Sequence, residues 1–225
     1  MATTLFRKAA LTAASAAFVG GVFTGPVTAF AAPADTGKPV TATQKSDRKG
    51  DKSDNRNNER ELNVRYQAQP NFYYCGPAAA RNALSVQGKD IDVDGMAQRM
   101  GTTEAGTNSV NDITPVLNKE TGKDVYHSTE ISTPRADDKQ TDKLRTDIIH
   151  TVDDGRAVVA NIAGTATDTD GNTHSFEGGH YISVIGYRDG GNTVTIADSA
   201  DPTQATYRMN IDNLADWIAT RGYIS

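Results

Sequence analysis

An α+β fold is predicted from three observations. Apolar segments of helical period fill the first half of the region from about residue 62 onward, β-branched strand-like runs fill the second half, and a glycine-rich turn, "RDGGN", joins two of those runs as a hairpin. Helices first and antiparallel strands second define the class.

The elements follow in chain order. A short strand is expected at Leu62–Gln67. Proline is tolerated only in the first turn of a helix, so Pro77 starts an alanine-rich helix at or near Cys75 that runs to about Val86. Ala79, Ala80, Ala83 and Leu84 share one of its faces and pack it inward. A second helix covers about Val93–Met100. In "TNSVNDITPVLNKETG", Asn111 is a suitable cap, with Pro115 then near the first turn and Gly122 as the stop. A strand around Val125–Ile131 and a helix from about Asp138 to Val152 come next. The strand-like runs are "AVVANIAG" (Ala157–Gly164), "HYISVIGYR" (His180–Arg188) and "TVTIAD" (Thr193–Asp198), and "IDNLADWIAT" (Ile211–Thr220) reads as a closing helix.

The N-terminal 61 residues are of another kind. Arg7 and Lys8 precede an apolar stretch of small residues from Ala9 to Phe23, and Ala29-Phe30-Ala31 fits a small-x-small cleavage site. Residues 1–31 therefore read as a secretory signal peptide, and the protein as secreted and extracellular. Gly20, Gly21, Gly25 and Pro26 interrupt the apolar run well short of the ~20 residues that span a bilayer. Residues 32–61 carry mixed charge, no aromatic and no apolar period, so they read as a flexible linker. The remaining 62–225 is the size of one domain.

Cleavage after Ala31 removes two positive charges and no acid, taking the formal net charge from −5 to −7. So acidic a chain excludes phosphate-driven binding of nucleic acid and offers no basic patch to anionic membranes. A monomer with no cofactor is expected. The chain has one cysteine, which cannot form an internal disulfide, so a lone thiol in an exported protein points to a reactive group or an intermolecular bridge.

That cysteine, Cys75, lies in "QPNFYYCGPAAARNAL", at the positive end of the helix dipole. Such a position, with an imidazolium nearby, can lower a thiol pKa from ~8.5 to ~3.5–7.5. Gly76 leaves room for a substrate backbone. Gln69, six residues earlier, can donate an amide N–H to a developing oxyanion alongside the Cys75 backbone, with Gln67 the rival by residue type. Among the histidines, His127 and His150 sit in ordinary contexts and His174 in a loop or hairpin tip. His180 follows Gly178-Gly179 at the mouth of a strand, where glycines permit an unusual backbone path.

The acid follows from register. With a three-residue turn Asp189-Gly190-Gly191, Arg188 pairs with Asn192, His180 lies opposite Ala200, and Asp198 is its diagonal neighbour at about 7–8 Å, within side-chain reach. Asp201 is the alternative under another loop length. A calcium or zinc site in "DTDGNTHSFEGGH" is disfavoured. Gly171 falls at the fourth position of the Asp-x-Asp run rather than the sixth, and no zinc spacing is evident.

Gln69, Cys75-Gly76-Pro77-Ala78, Gly179-His180-Tyr181 opening a strand and Asp198 closing the next together resemble a papain-like cysteine peptidase, of the peptidase family 39-like group related to bacteriocin-processing double-glycine peptidases. The resemblance spans about Leu62 to Ser225. It implies a nucleophile-bearing helix packed on an antiparallel sheet, with Cys75 as nucleophile, His180 as general base then acid, Asp198 as its orienter and Gln69 in the oxyanion hole. Tyr74 stands where the bacteriocin processors often carry an acid, and no transporter segment is attached, so cleavage after a double-glycine leader is not implied. An acyl-transfer enzyme or amidase with the same triad (transglutaminase or cell-wall amidase type), and a non-catalytic peptide-binding module, remain open beside the peptidase.

Overall fold

The computed structural model describes residues 58–225. The predicted signal peptide at 1–31, and all of the predicted linker except its last four residues, lie outside them. The elements are β1 (Arg60–Glu61), α1 (Cys75–Ser85), α2 (Val93–Met100), α3 (Val110–Thr121), β2 (Ser128–Glu130), α4 (Asp138–Asp153), β3 (Val158–Thr167), β4 (Thr173–Arg188), β5 (Thr193–Ala197), β6 (Thr206–Asn210), α5 (Ile211–Ile218) and β7 (Gly222–Ile224).

The strands form one antiparallel sheet in the order β2-β7-β3-β4-β5-β6, with β1 also paired to β4. Side chains of successive residues leave a strand on opposite faces, and here both faces are buried. Val159, Tyr181 and Ile185 pack with Leu84, Met96 and Ile113 of the first three helices. Val158, Ile182 and Val184 pack with Leu144, Ile148 and Trp217 of α4 and α5. Burial on both sides is why the β3 and β4 sequences read as nearly continuous apolar runs. The α+β class and the packing of α1 on the sheet match the expectation.

α1 is buried along its whole length, and its small face lets it lie close to β4, where Ser183 Oγ donates to the Ala79 carbonyl at 2.8 Å. α3 starts earlier than expected. Ser109, not Asn111, is the N-cap, in a reciprocal capping box with Asp112. Pro115 consequently sits in the second turn, on the exposed side, where the carbonyl it cannot pair with is open to water.

Other boundaries also move. β1 pairs Arg60 with Tyr187 and Glu61 with Gly186, so the folded region begins before Leu62. Leu62–Gln67 is not a strand. Its backbone is satisfied piecemeal, by Leu62 N–H donating to the Ile185 carbonyl at 2.8 Å and by the Asn82 amide bracketing Gln67 at 2.9 and 3.0 Å. β4 begins at Thr173, seven residues before His180, and β6 and β7 complete the sheet where no strand was expected.

The β4–β5 hairpin departs from the predicted register twice. Arg188 pairs with Thr193, so the turn is one residue longer than predicted. The ladder then steps from Gly186↔Thr195 to Val184↔Ile196, leaving Ile185 as a bulge. The two departures cancel, and Ser183 meets Ala197 as the three-residue turn would have had it.

Candidate active site

Cys75 is the first residue of α1, and Tyr74 before it provides no side-chain cap. The thiol is buried to 8% exposure and lines a cleft of about 370 Å³ together with Thr107, Asn161, Gly179, Tyr181 and Arg221. Gly76 serves a different purpose from the one expected. A Cβ there would lie 2.5 Å from Thr107 Oγ1, so its missing side chain admits the protein's own cleft-lining loop rather than a substrate backbone.

His180 reaches the site from inside β4, not from a strand mouth. Pairing jumps from Ile162↔His180 to Gly164↔Phe176, so residues 177–179 bulge just before it, with Gly179 at φ +95°. The double glycine is thus a device for bending a continuous strand. The ring is sandwiched by Phe176, stacked at 4.0 Å and 16°, and its Nε2 lies 2.7 Å from Asp198 Oδ1. Burial pushes this imidazole toward its neutral form. The hydrogen bonds to Asp198 and then to Cys75 overcome that and hold the pKa up at about 9.

Asp198 is 3% exposed and takes donors on both oxygens: His180 and the Ala200 N–H (3.0 Å) on Oδ1, and the Tyr207 hydroxyl (3.0 Å) on Oδ2. Desolvation works against its charge, but these donors outweigh it and depress its pKa. Asp201 is exposed and turned to Thr203, accepting from its N–H at 2.8 Å and its hydroxyl at 2.7 Å. Asp198, the diagonal neighbour expected from the register, is therefore the carboxylate that faces His180.

Gln69 is tied to the residue after Asp198. Its N–H donates to the Ser199 carbonyl at 2.9 Å, and its Oε1 accepts from Ser199 Oγ at 3.0 Å. Nε2 donates to the Asn71 carbonyl at 2.9 Å, which leaves its second N–H for another acceptor. Gln67 is held by its backbone to Asn82, away from this arrangement.

His127 exchanges backbone hydrogen bonds with Ser225, and His150 is exposed in the last turn of α4. His174 is neither loop nor tip. It is buried near the start of β4, with Nε2 3.1 Å from Asp168 Oδ2 and its ring stacked on Tyr207 at 3.9 Å. Asp168 also accepts from the N–H groups of Asp170 and Asn172 and from the Asn172 amide. Despite burial, these bonds draw its pKa down to about 2. The turn from Asp168 to Asn172 is thus organised around one carboxylate already filled with protein donors.

Tyr207 and Phe176 were invisible to sequence reasoning. Tyr207 lies on an unpredicted strand, and Phe176 in a stretch read as loop. The alternating "TYRMN" of β6, with Tyr207 and Met209 buried, is the one signal that could have located the first.

The fold matches that of a C39-like peptidase from Bacillus anthracis, with a TM-score of 0.50 and 11% identity over 72% of this chain and 94% of that one. The chain belongs to the Peptidase_C39 like family, whose model matches residues 61–225. Two other solved structures match with lower TM-scores. One is the peptidase domain of Streptococcus ComA, a bifunctional ABC transporter in a quorum-sensing pathway (TM-score 0.47, 18% identity, 71% of this chain and 94% of that one). The other is a double glycine motif protease from an AMS/PCAT transporter in complex with its leader peptide (TM-score 0.45, 13% identity, 73% and 91%). No curated protein matches the chain.

Proposed function

We propose that the protein is a secreted thiol peptidase that cleaves peptide bonds through Cys75, His180 and Asp198 by way of a thioester. The reading is carried by the 2.7 Å contact between His180 Nε2 and Asp198, with Cys75 as the ring's second partner. Because Nε2 is committed to the carboxylate, Nδ1 is the nitrogen that exchanges a proton with sulfur and substrate.

Cys75 sulfur attacks the scissile carbonyl carbon, and the displaced π pair collects on oxygen. The Cys75 backbone N–H and the uncommitted Gln69 amide N–H receive that charge. As the carbonyl re-forms, the C–N bond breaks and His180 Nδ1–H protonates the departing amine. Water then attacks the thioester, His180 Nδ1 takes its proton, and as the carbonyl re-forms the C–S bond breaks and Cys75 leaves as thiolate beside the imidazolium. Secretion follows from the N-terminal segment, and the mature chain starts at Ala32.

The test is turnover of a peptide library by the purified mature protein, with labelling by a thiol-directed peptidyl inhibitor. Cys75→Ala and His180→Ala should abolish turnover with circular dichroism unchanged. Gln69→Ala should lose about 10²–10³ in kcat, the usual cost of one oxyanion donor. Full activity in Cys75→Ala would end the proposal. An added amine captured into product would turn it into acyl transfer.

A further inference from the structure

Arg221 carries a positive charge that has no ion-pair partner among the described residues. Its Nε is buried and makes no hydrogen bond, and among the described residues no carboxylate oxygen lies within 4.0 Å of its guanidinium. The side chain borders the same cleft as Cys75. Leaving a cation's buried N–H unpaired is costly unless a ligand completes it.

Three features aim it there. Arg221 sits in the turn between α5 and β7, fixed by its N–H to the Ile218 carbonyl (2.9 Å) and by the Ile131 N–H to its own carbonyl (2.8 Å). Thr220 just before it has φ +65°, a left-handed conformation that a β-branched residue adopts only under strain. The guanidinium lies over Gly179, where a Cβ would come within 3.4 Å of Nη2. The bulge that delivers His180 is thus also the floor under this cation.

We propose that Arg221 binds a carboxylate of the peptide substrate, so that the enzyme selects acidic peptides at this cleft. The inference rests on reading the cleft as the peptide-binding site. A guanidinium fork takes a carboxylate by two parallel N–H···O bonds, a geometry no neutral amide reproduces. Glu104 borders the cleft as well, but it is exposed and screened by solvent, whereas the arginine's Nε is cut off from water. The carboxylate can belong to an Asp or Glu side chain near the scissile bond or to the substrate's own C-terminus.

The experiment uses the mature chain with Cys75→Ala, so that binding is read without turnover, and the active chain in parallel. Fluorescent peptides are offered as pairs, Glu against Gln at each position flanking the cut, and free against amidated C-terminus. One arm should show at least a ten-fold preference for the carboxylate, and which arm does so identifies the source. Arg221→Gln should reduce the preference to near parity, and Arg221→Lys, which keeps the charge and stands in should Gln disturb the fold, to an intermediate value. With Cys75 intact, the alkylation rate by anionic iodoacetate relative to neutral iodoacetamide should fall on the order of five-fold in Arg221→Gln. Equal binding within both pairs, or a preference that survives Arg221→Gln, overturns the inference. Acidic peptides that bind through Arg221 but are never cut would refute the peptidase reading and leave this one standing.

Discussion

Tyr207 gives Asp198 Oδ2 its hydrogen bond, and without it that oxygen of a buried carboxylate has no donor among the described residues. The tyrosine is itself held by the stacked His174, which Asp168 orients. A chain of contacts thus runs from the β3–β4 turn to the acid beside His180. Tyr207→Phe should cost about 1–2 kcal/mol, the penalty for stranding one buried acceptor, read as a lower urea midpoint at neutral pH. The loss should shrink on the acid side, because the hydroxyl's bond favours the ionised carboxylate and counts for least once Asp198 is protonated. An unchanged acid-unfolding midpoint in Tyr207→Phe would mean the hydroxyl contributes nothing to that carboxylate.

α1 and the loop at 102–107 meet through a missing side chain. With a Cβ at Gly76 only 2.5 Å from Thr107 Oγ1 and 3.0 Å from Thr107 Cβ, one of the two elements must give way. Thr107 also accepts from Tyr181 through its carbonyl at 3.3 Å, so the loop cannot move without disturbing the cleft wall. Gly76→Ala should therefore destabilise by about 1–3 kcal/mol, as overpacking does, and should also slow alkylation of Cys75 by changing the cleft. Thr107→Ala with Gly76→Ala should recover part of both, since it removes the hydroxyl that a Cβ at position 76 would meet at 2.5 Å. If Gly76→Ala unfolds at the wild-type urea midpoint, the close approach is not a constraint on this fold.

Taken as one molecule, the protein should be most stable in mildly acidic solution. The His180 proton affinity rises on folding from 6.5 to about 9. Its stabilisation is therefore fully present below about pH 6.5 and is lost as pH climbs through about 9. Asp198 acts in the other direction. Its pKa falls below 3.8 on folding, so its contribution is in place above that value and is lost as pH drops through the folded value. Urea midpoints from pH 3 to 10 should form a plateau between these limits. His180→Gln should abolish the decline between pH 6.5 and 9, and an equal decline in that variant would show that other groups cause it.

The nucleophile helix, the histidine and the acid were legible in the sequence because each is announced locally. Pro77 dates the start of α1, Gly178-Gly179 marks an irregular backbone before His180, and β-branched runs bounded by turn residues supply the strands that bring His180 and Asp198 onto one face. Even there the match with Asp198 depended on a longer turn and a bulge at Ile185 offsetting one another, and no local signal encodes that pair of departures. β1 and β7, two and three residues long, are too short to show a period, and they exist only because the edges of a longer sheet offer unpaired backbone groups. Gly76 against Thr107, Tyr207 on Asp198, Phe176 on His180 and Arg221 over Gly179 join residues at least four and up to forty-two positions apart. Contacts of this kind are set by how the sheet and helices pack, since complementarity between distant side chains is decided only when the tertiary structure brings them together. The sequence determined the chemistry available to this protein, and the packing decided which groups support it.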